Sequence, residues 1–136
     1  VTSEEGTVAT SNKEIIEKVN AAFAENSVEG FLSFCADDVE WTMVGDRTVK
    51  GKDAIRSWMG SIPSSEPPKF TVQNMIAEGD YVIAYGDMTM KEEGKTTPYS
   101  YCDVYRLRAN TITELRSFVV KTVSEAASGS AEVAPV

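Results

Sequence analysis

Asp103 is the side chain in this sequence most able to do chemistry. Across positions 99–107 the odd residues read Tyr99, Tyr101, Asp103, Tyr105 and Leu107, and the even ones Ser100, Cys102, Val104 and Arg106. A strand sends alternate side chains to opposite faces, so Asp103 shares its face with three tyrosines and a leucine. Ionising a carboxyl there is unfavourable unless something pairs with it. It is therefore either a core carboxylate, paired with Arg116, Arg106 or a tyrosine hydroxyl, or a functional acid. Tyr101, the nearest tyrosine on that face, is the expected hydrogen-bonding partner. Tyr99, Tyr101 and Tyr105 would orient a ligand through their hydroxyls or serve as core wall.

The remaining inventory is short. Histidine is absent, which removes the usual general base, metal ligand and activator of a serine or cysteine nucleophile. Ser117 then has no obvious base to make it a nucleophile. Asp37-Asp38 reads as a helix end and turn, and Glu92-Glu93 as a solvated turn. Cys35 and Cys102 lack metal-type spacing and read as reduced, buried thiols. No phosphate loop, metal motif or dinucleotide fingerprint occurs, so no cofactor and no metal are expected.

The 136 residues carry 21 acidic and 13 basic side chains, a net charge of −8. Without a basic cluster, nucleic acid and anionic membrane are poor partners. There is no long apolar run, and residues 1–10 lack a signal pattern, so the expectation is a soluble, cytoplasmic protein. The length suits one domain with one core. Residues 1–10 and 124–136 read as mobile tails around a body at 11–123.

That body must position the acid. Residues 11–14 fit a capping box, followed by Ile15, Ile16, Val19 and Phe23 at helical spacing. Ser27 caps a second helix carrying Val28, Phe31, Leu32 and Cys35, which Asp37 and Asp38 end. A strand at 39–44 meets a turn at Gly45-Asp46. Gly51 opens a third helix with Ile55, Trp58, Met59 and Ile62 inward, and Pro63 stops it. A loop follows at 64–68. Strands at 70–77, 81–90, 96–107 and 111–122 then form an antiparallel meander. Helices first and strands after argue an α+β fold with helices on one sheet face.

A two-residue turn at Glu93-Gly94 sets Met88 opposite Tyr99, Gly86 opposite Tyr101, Ala84 opposite Asp103 and Val82 opposite Tyr105. Small residues then face large ones on one inner wall, which also includes Met90. The other face, with Tyr81, Ile83, Tyr85, Cys102 and Val104, is also apolar and argues a homodimer through the outer sheet face. The last hairpin has two solutions. A two-residue turn at Ala109-Asn110 puts Arg116 opposite Asp103 and lowers its pKa; a bulged three-residue turn puts Ser117 there and raises it. The second makes the better core stripe, with Leu115 and Val119 inward.

Residues 31–39 and 51–56, the stretch Cys102-Asp103-Val104-Tyr105-Arg106-Leu107, and residues 112–118 together resemble the SnoaL-like families of the nuclear transport factor 2 superfamily. The resemblance covers residues 13–122. It implies a cystatin-like cone-shaped barrel, a strongly bent, mainly antiparallel sheet wrapped around N-terminal helices, with a pocket at the wide end. Ketosteroid isomerases, limonene epoxide hydrolases, polyketide cyclases and non-catalytic adaptors share that shape, many as dimers, so fold alone does not fix function. In the isomerases a neutral aspartic acid in such a strand donates to the oxyanion, and Asp103 matches it. The oxyanion tyrosine matches Val19, and the base falls within 41–43, where no base stands. The hydrolase acid–base set matches Ala84, Gly86 and Ser117, and the cyclase acid lies near Ser117. Asp103, which the resemblance matches, and Tyr101, its neighbour on the inner face, are the catalytic candidates. The ligand-binding candidates are Trp41, Trp58 and Met59 at the matching pocket wall, Val19 and Met43 beside them, and, from the register of the inner face, Gly86, Met88, Tyr99, Tyr105, Ser117 and Val119.

Three functions stay open: a cofactor-free isomerase, cyclase or hydrolase for a small apolar ring-bearing substrate; a binding module for a hydrophobic small molecule; and a dimeric adaptor or structural protein.

Overall fold

The structure, a computed structural model, describes residues 2–61, 68–92 and 94–122. Among them are the helices α1 (Thr2–Ala24), α2 (Val28–Leu32) and α3 (Lys52–Gly60). The strands are β1 (Cys35–Met43), β2 (Arg47–Lys50), β3 (Lys69–Glu78), β4 (Tyr81–Glu92), β5 (Lys95–Arg108) and β6 (Thr111–Lys121). They form one open sheet in the order β2-β1-β6-β5-β4-β3. The helices pack on its inner face, the expected α+β arrangement.

α1 buries Ile16 and Val19 completely, with Ile15 and Phe23 packed beside them, the stripe its spacing predicts. The helix begins at Thr2 rather than at Ser11, so residues 11–14 lie inside it and do not cap it. Asn12 has another task there. It is buried, and its amide donates to the Gly79 carbonyl at 3.3 Å, which ties α1 to the β3–β4 turn.

Ser27 caps α2 as expected, its hydroxyl accepting from the Gly30 N–H at 3.0 Å. The helix ends at Leu32, and β1 starts at Cys35. Asp37 and Asp38 therefore lie within a strand, where the sequence pattern placed a helix end. Cys35 stays in the core cluster, but from β1. After the Gly45 turn (φ +91°) the chain pairs back on β1 as β2, a strand too short to show a period in the sequence. Gly51, at φ +95°, opens α3 as read, with Ile55 buried and Trp58 and Met59 packed on the core. Ile62, Pro63, the loop at 64–67, Glu93 and the tail at 124–136 lie outside the described residues.

β3 to β6 form the expected meander, but the sheet is mixed: β1 runs parallel to β6. The β4–β5 register is as derived, with Gly86 opposite Tyr101 and Ala84 opposite Asp103. The β5–β6 hairpin combines both solutions. Its turn has two residues, Ala109 and Asn110, both left-handed (φ 52° and 64°), and Arg108 pairs with Thr111. A bulge follows within β6, and beyond it Asp103 faces Ser117. A second bulge in β3, between Val72 and Asn74, folds that edge strand over β4. Only glycine tolerates the approach, because a Cβ on Gly86 would lie 1.9 Å from the Thr71 carbonyl oxygen.

Candidate functional site

A cavity of about 470 Å³ opens between the helices and the inner sheet face. Its depth follows β6: Val119 is 42% exposed, Ser117 6% and Leu115 0%. Asp103, across from Ser117, therefore sits at the inner end, and it is one of the lining residues.

The walls are rings and thioethers. Trp41 from β1 meets Trp58 from α3 edge-on at 5.4 Å, and Phe23 from α1 lies 6.1 Å from Trp41. Phe70 meets Tyr101 edge-on at 6.1 Å. Met43, Met59, Met88 and Met90 line the same cavity. Such a lining suits a flat apolar body and adapts to its outline.

The inner end is polar and wired. The Trp41 indole N–H donates to the Ser117 hydroxyl at 2.9 Å, in buried surroundings. That leaves the Ser117 O–H to donate to Asp103. Burial pushes the Asp103 carboxyl up to about 6, and the Ser117 hydrogen bond holds the rise back. No cation contributes. Arg106 lies over the Tyr81 ring and Arg116 over the Phe118 ring, each at 5.8 Å, on the outer face. Asp103 is thus not the half of an ion pair with either arginine. A carboxyl in this state gives up a proton near neutrality and takes one back, as general acid–base work requires.

Tyr101 lines the cavity, but its hydroxyl donates to the Thr71 carbonyl at 3.1 Å, where Asp103 was the expected partner. The β3 bulge that crosses Gly86 brings that carbonyl within reach. Burial and the nearby Asp103 and Asp87 push the Tyr101 phenol up to about 12.

Of the other expected wall residues, Trp41, Met43, Trp58, Met59, Met88, Ser117 and Val119 line the cavity. Val19 and Tyr105 do not: both are fully buried in the core beneath it. Gly86 is covered by β3, and Tyr99 is not among the lining residues. Sequence reasoning missed Asn20, Phe23, Asn26 and Val28 on the helical side, Val44 and Asp46 at the β1–β2 turn, and Phe70 on β3. Phe23 and Val28 sit at core spacing, which hid them. The side-chain nitrogen of Asn20 is buried without a partner, as is the Tyr105 hydroxyl.

Among the described residues no group of three or more His, Cys, Asp or Glu is placed to hold a metal ion. Burial pushes the Cys35 thiol up to about 12, which makes it a poor nucleophile. No described helix is long and apolar enough to cross a membrane.

Comparison with solved structures places this architecture among known folds. An M. tuberculosis LEH-like epoxide hydrolase superposes with a TM-score of 0.73 at 14% identity, over 82% of this chain and 84% of that one. TerC, co-crystallized with polyporic acid, gives 0.71 at 22% identity, over 88% and 96%. An NTF2-like protein of unknown function from Burkholderia pseudomallei K96243 gives 0.73 at 19% identity, over 79% and 88%. At such identities the likeness is one of fold, the NTF2-like α+β cone. A search of curated proteins found no match. The SnoaL-like domain matches residues 16–115, from the core of α1 to the middle of β6, and the chain belongs to that family.

Proposed function

We propose that this SnoaL-like domain takes a small, apolar, ring-bearing molecule into its cavity and moves a proton on it with Asp103, without a cofactor. One observation carries the reading: a half-buried carboxyl, with no cation beside it, lies at the inner end of a ring-lined cavity and is held by the Trp41–Ser117 hydrogen bond. As a base the carboxylate removes a proton from a carbon next to a ring carbonyl; as the acid it returns it elsewhere on the substrate. TerC, of the same fold, was crystallised with polyporic acid. Tyr101 contributes as wall, since its O–H is committed to Thr71.

Deuterium exchange into 2-tetralone tests this. The wild-type protein is expected to accelerate exchange of the protons beside the carbonyl, and Asp103→Asn to lose that acceleration about a hundredfold, a typical general-base contribution. Equal rates for the two proteins would refute it.

A second reading is a binding module that leaves its ligand unchanged. It is favoured by the resemblance, which matches the isomerases' donor to Val19 and their base to residues 41–43, where no donor of that kind and no base stands. Ligand recovered intact, with saturable quenching of Trp41 and Trp58, would establish it.

Two accompanying features belong to this reading. The outer face shows Ile76 (50% exposed), Phe118 and Val120 (64% exposed) around Tyr85 and Val104, and we take it as a homodimer surface. Sedimentation of Phe118→Glu as a monomer, against a wild-type dimer, tests it. Both cysteines are free, which fits a reducing compartment such as the cytoplasm.

A further inference from the structure

We infer that the cavity selects by charge, and that its preferred occupant is a flat organic ammonium whose N–H donates to Asp103. This rests on the proposed role of Asp103 as the acid of the cavity and adds the class of ligand.

The hydrogen-bond donors at the inner end are already committed. Trp41 donates to Ser117, Ser117 to Asp103, and Tyr101 to the Thr71 carbonyl. No Lys or Arg is among the described lining residues. At the mouth, Asp46 is matched by Arg47 at 3.4 Å, both exposed, so that charge is balanced and screened. The charge at the inner end is not balanced. The Asn20 amide is a further lining donor, left without a partner, but a neutral amide does not offset a charge.

A ligand therefore meets an acceptor and a negative charge together. A carboxylate or phenolate pressed against Asp103 would be repelled in a site of low dielectric. An ammonium is favoured twice. The half-buried carboxylate has already lost part of its hydration on folding, so the pair is opposed mainly by the ligand's desolvation. Trp41, Trp58 and Phe23 line the same cavity, and aromatic faces attract cations.

Three probes with one ring system and different charge test this: 2-naphthylmethylamine, 2-naphthalenemethanol and 2-naphthoate, titrated calorimetrically at pH 7.5. The expected order is amine, alcohol, acid, with the amine at least tenfold tighter than the alcohol and the acid at least tenfold weaker. In Asp103→Asn the amine's advantage over the alcohol should vanish. An amine that binds no better than the alcohol, or a naphthoate that binds as well, overturns the inference on wild-type protein alone, whatever the variant does. An amine advantage that survives in Asp103→Asn overturns the assignment to Asp103. Alcohol binding without charge selectivity leaves the tetralone test to judge the proton-transfer reading by itself. If none of the three binds, the charge rule and the apolar small-molecule cavity fail together.

Discussion

Trp41 and Ser117 lie 76 positions apart in the chain, yet the indole N–H of one rests 2.9 Å from the hydroxyl of the other. Parallel pairing of β1 with β6 makes this possible, since Met43 sits beside Ser117 in the ladder and Trp41 beside Leu115. The hydroxyl is fixed from one side and directed at Asp103 on the other. A residue without acid–base chemistry of its own thus positions the acid through an intermediary.

Removing that donor should disturb the acid more than the fold. Trp41→Phe keeps a ring and deletes the N–H, and should cost about 1 kcal/mol for the lost hydrogen bond. It should also move the Asp103 titration above about 6, because a freed hydroxyl donates less well. Ser117→Ala should move it further. Carbon-13 NMR of the Asp103 carboxyl reads both; a midpoint that stays or falls contradicts the relay.

The same carboxyl gives stability a pH dependence of known sign. Folded Asp103 keeps its proton up to about pH 6, whereas an unperturbed aspartate loses it near 3.8. Between these values the folded state binds more protons than the unfolded one, so stability falls as pH rises through the interval, and is flat in this respect above it. The gap is worth about 3 kcal/mol at most. Glu29, lowered by its exposed pair with Arg56, works in the opposite direction. The comparison that isolates Asp103 is urea unfolding of wild type and Asp103→Asn at pH 4 and 7, where only wild type should show the extra loss.

The inner wall was readable because β4 and β5 are joined by a tight turn and period two does the rest: Ala84 opposite Asp103 follows from counting. The partner strand was harder. A two-residue turn alone would put Arg116 inward; the bulge within β6 that corrects it leaves no mark in the sequence. Asp37 and Asp38 carried the chemistry of a turn but lie in β1, where pairing with β6 overrides local preference. The partner of Tyr101 is a backbone carbonyl, which has no letter to read. Asn20 and Phe23 look like an ordinary helix in sequence, and only the packing of α1 across the sheet makes them wall.

Gly86→Ala should be among the most damaging single-methyl additions in the chain. The new Cβ would meet the Thr71 carbonyl oxygen and the Gln73 nitrogen, both backbone, so no side chain can rotate aside. Overpacking of this kind destabilises by about 1–3 kcal/mol, and the upper end is expected. The Tyr101–Thr71 hydrogen bond should loosen with it, seen as a downward move of the Tyr101 phenol in an ultraviolet pH titration. An unchanged urea midpoint would contradict the close approach.

Ser27→Ala should remove the α2 cap and cost about 1 kcal/mol. Because Ser27 and Val28 line the cavity rim, the same change should weaken binding of 2-naphthalenemethanol modestly. A thermal melt and a titration read the two effects, and an unaltered melting temperature would count against the cap.

The parallel seam between β1 and β6 also orders events in time. While a ribosome is still making the chain, β1 emerges well before its eventual neighbour β6. Until then the Trp41 indole has no hydroxyl to meet and Asp103 faces no serine. The earlier helices and the β1–β2 hairpin must wait with greasy surfaces uncovered, which invites chaperone contact and aggregation. Synthesis of β6 therefore both joins β1 to β5 and arms the acid.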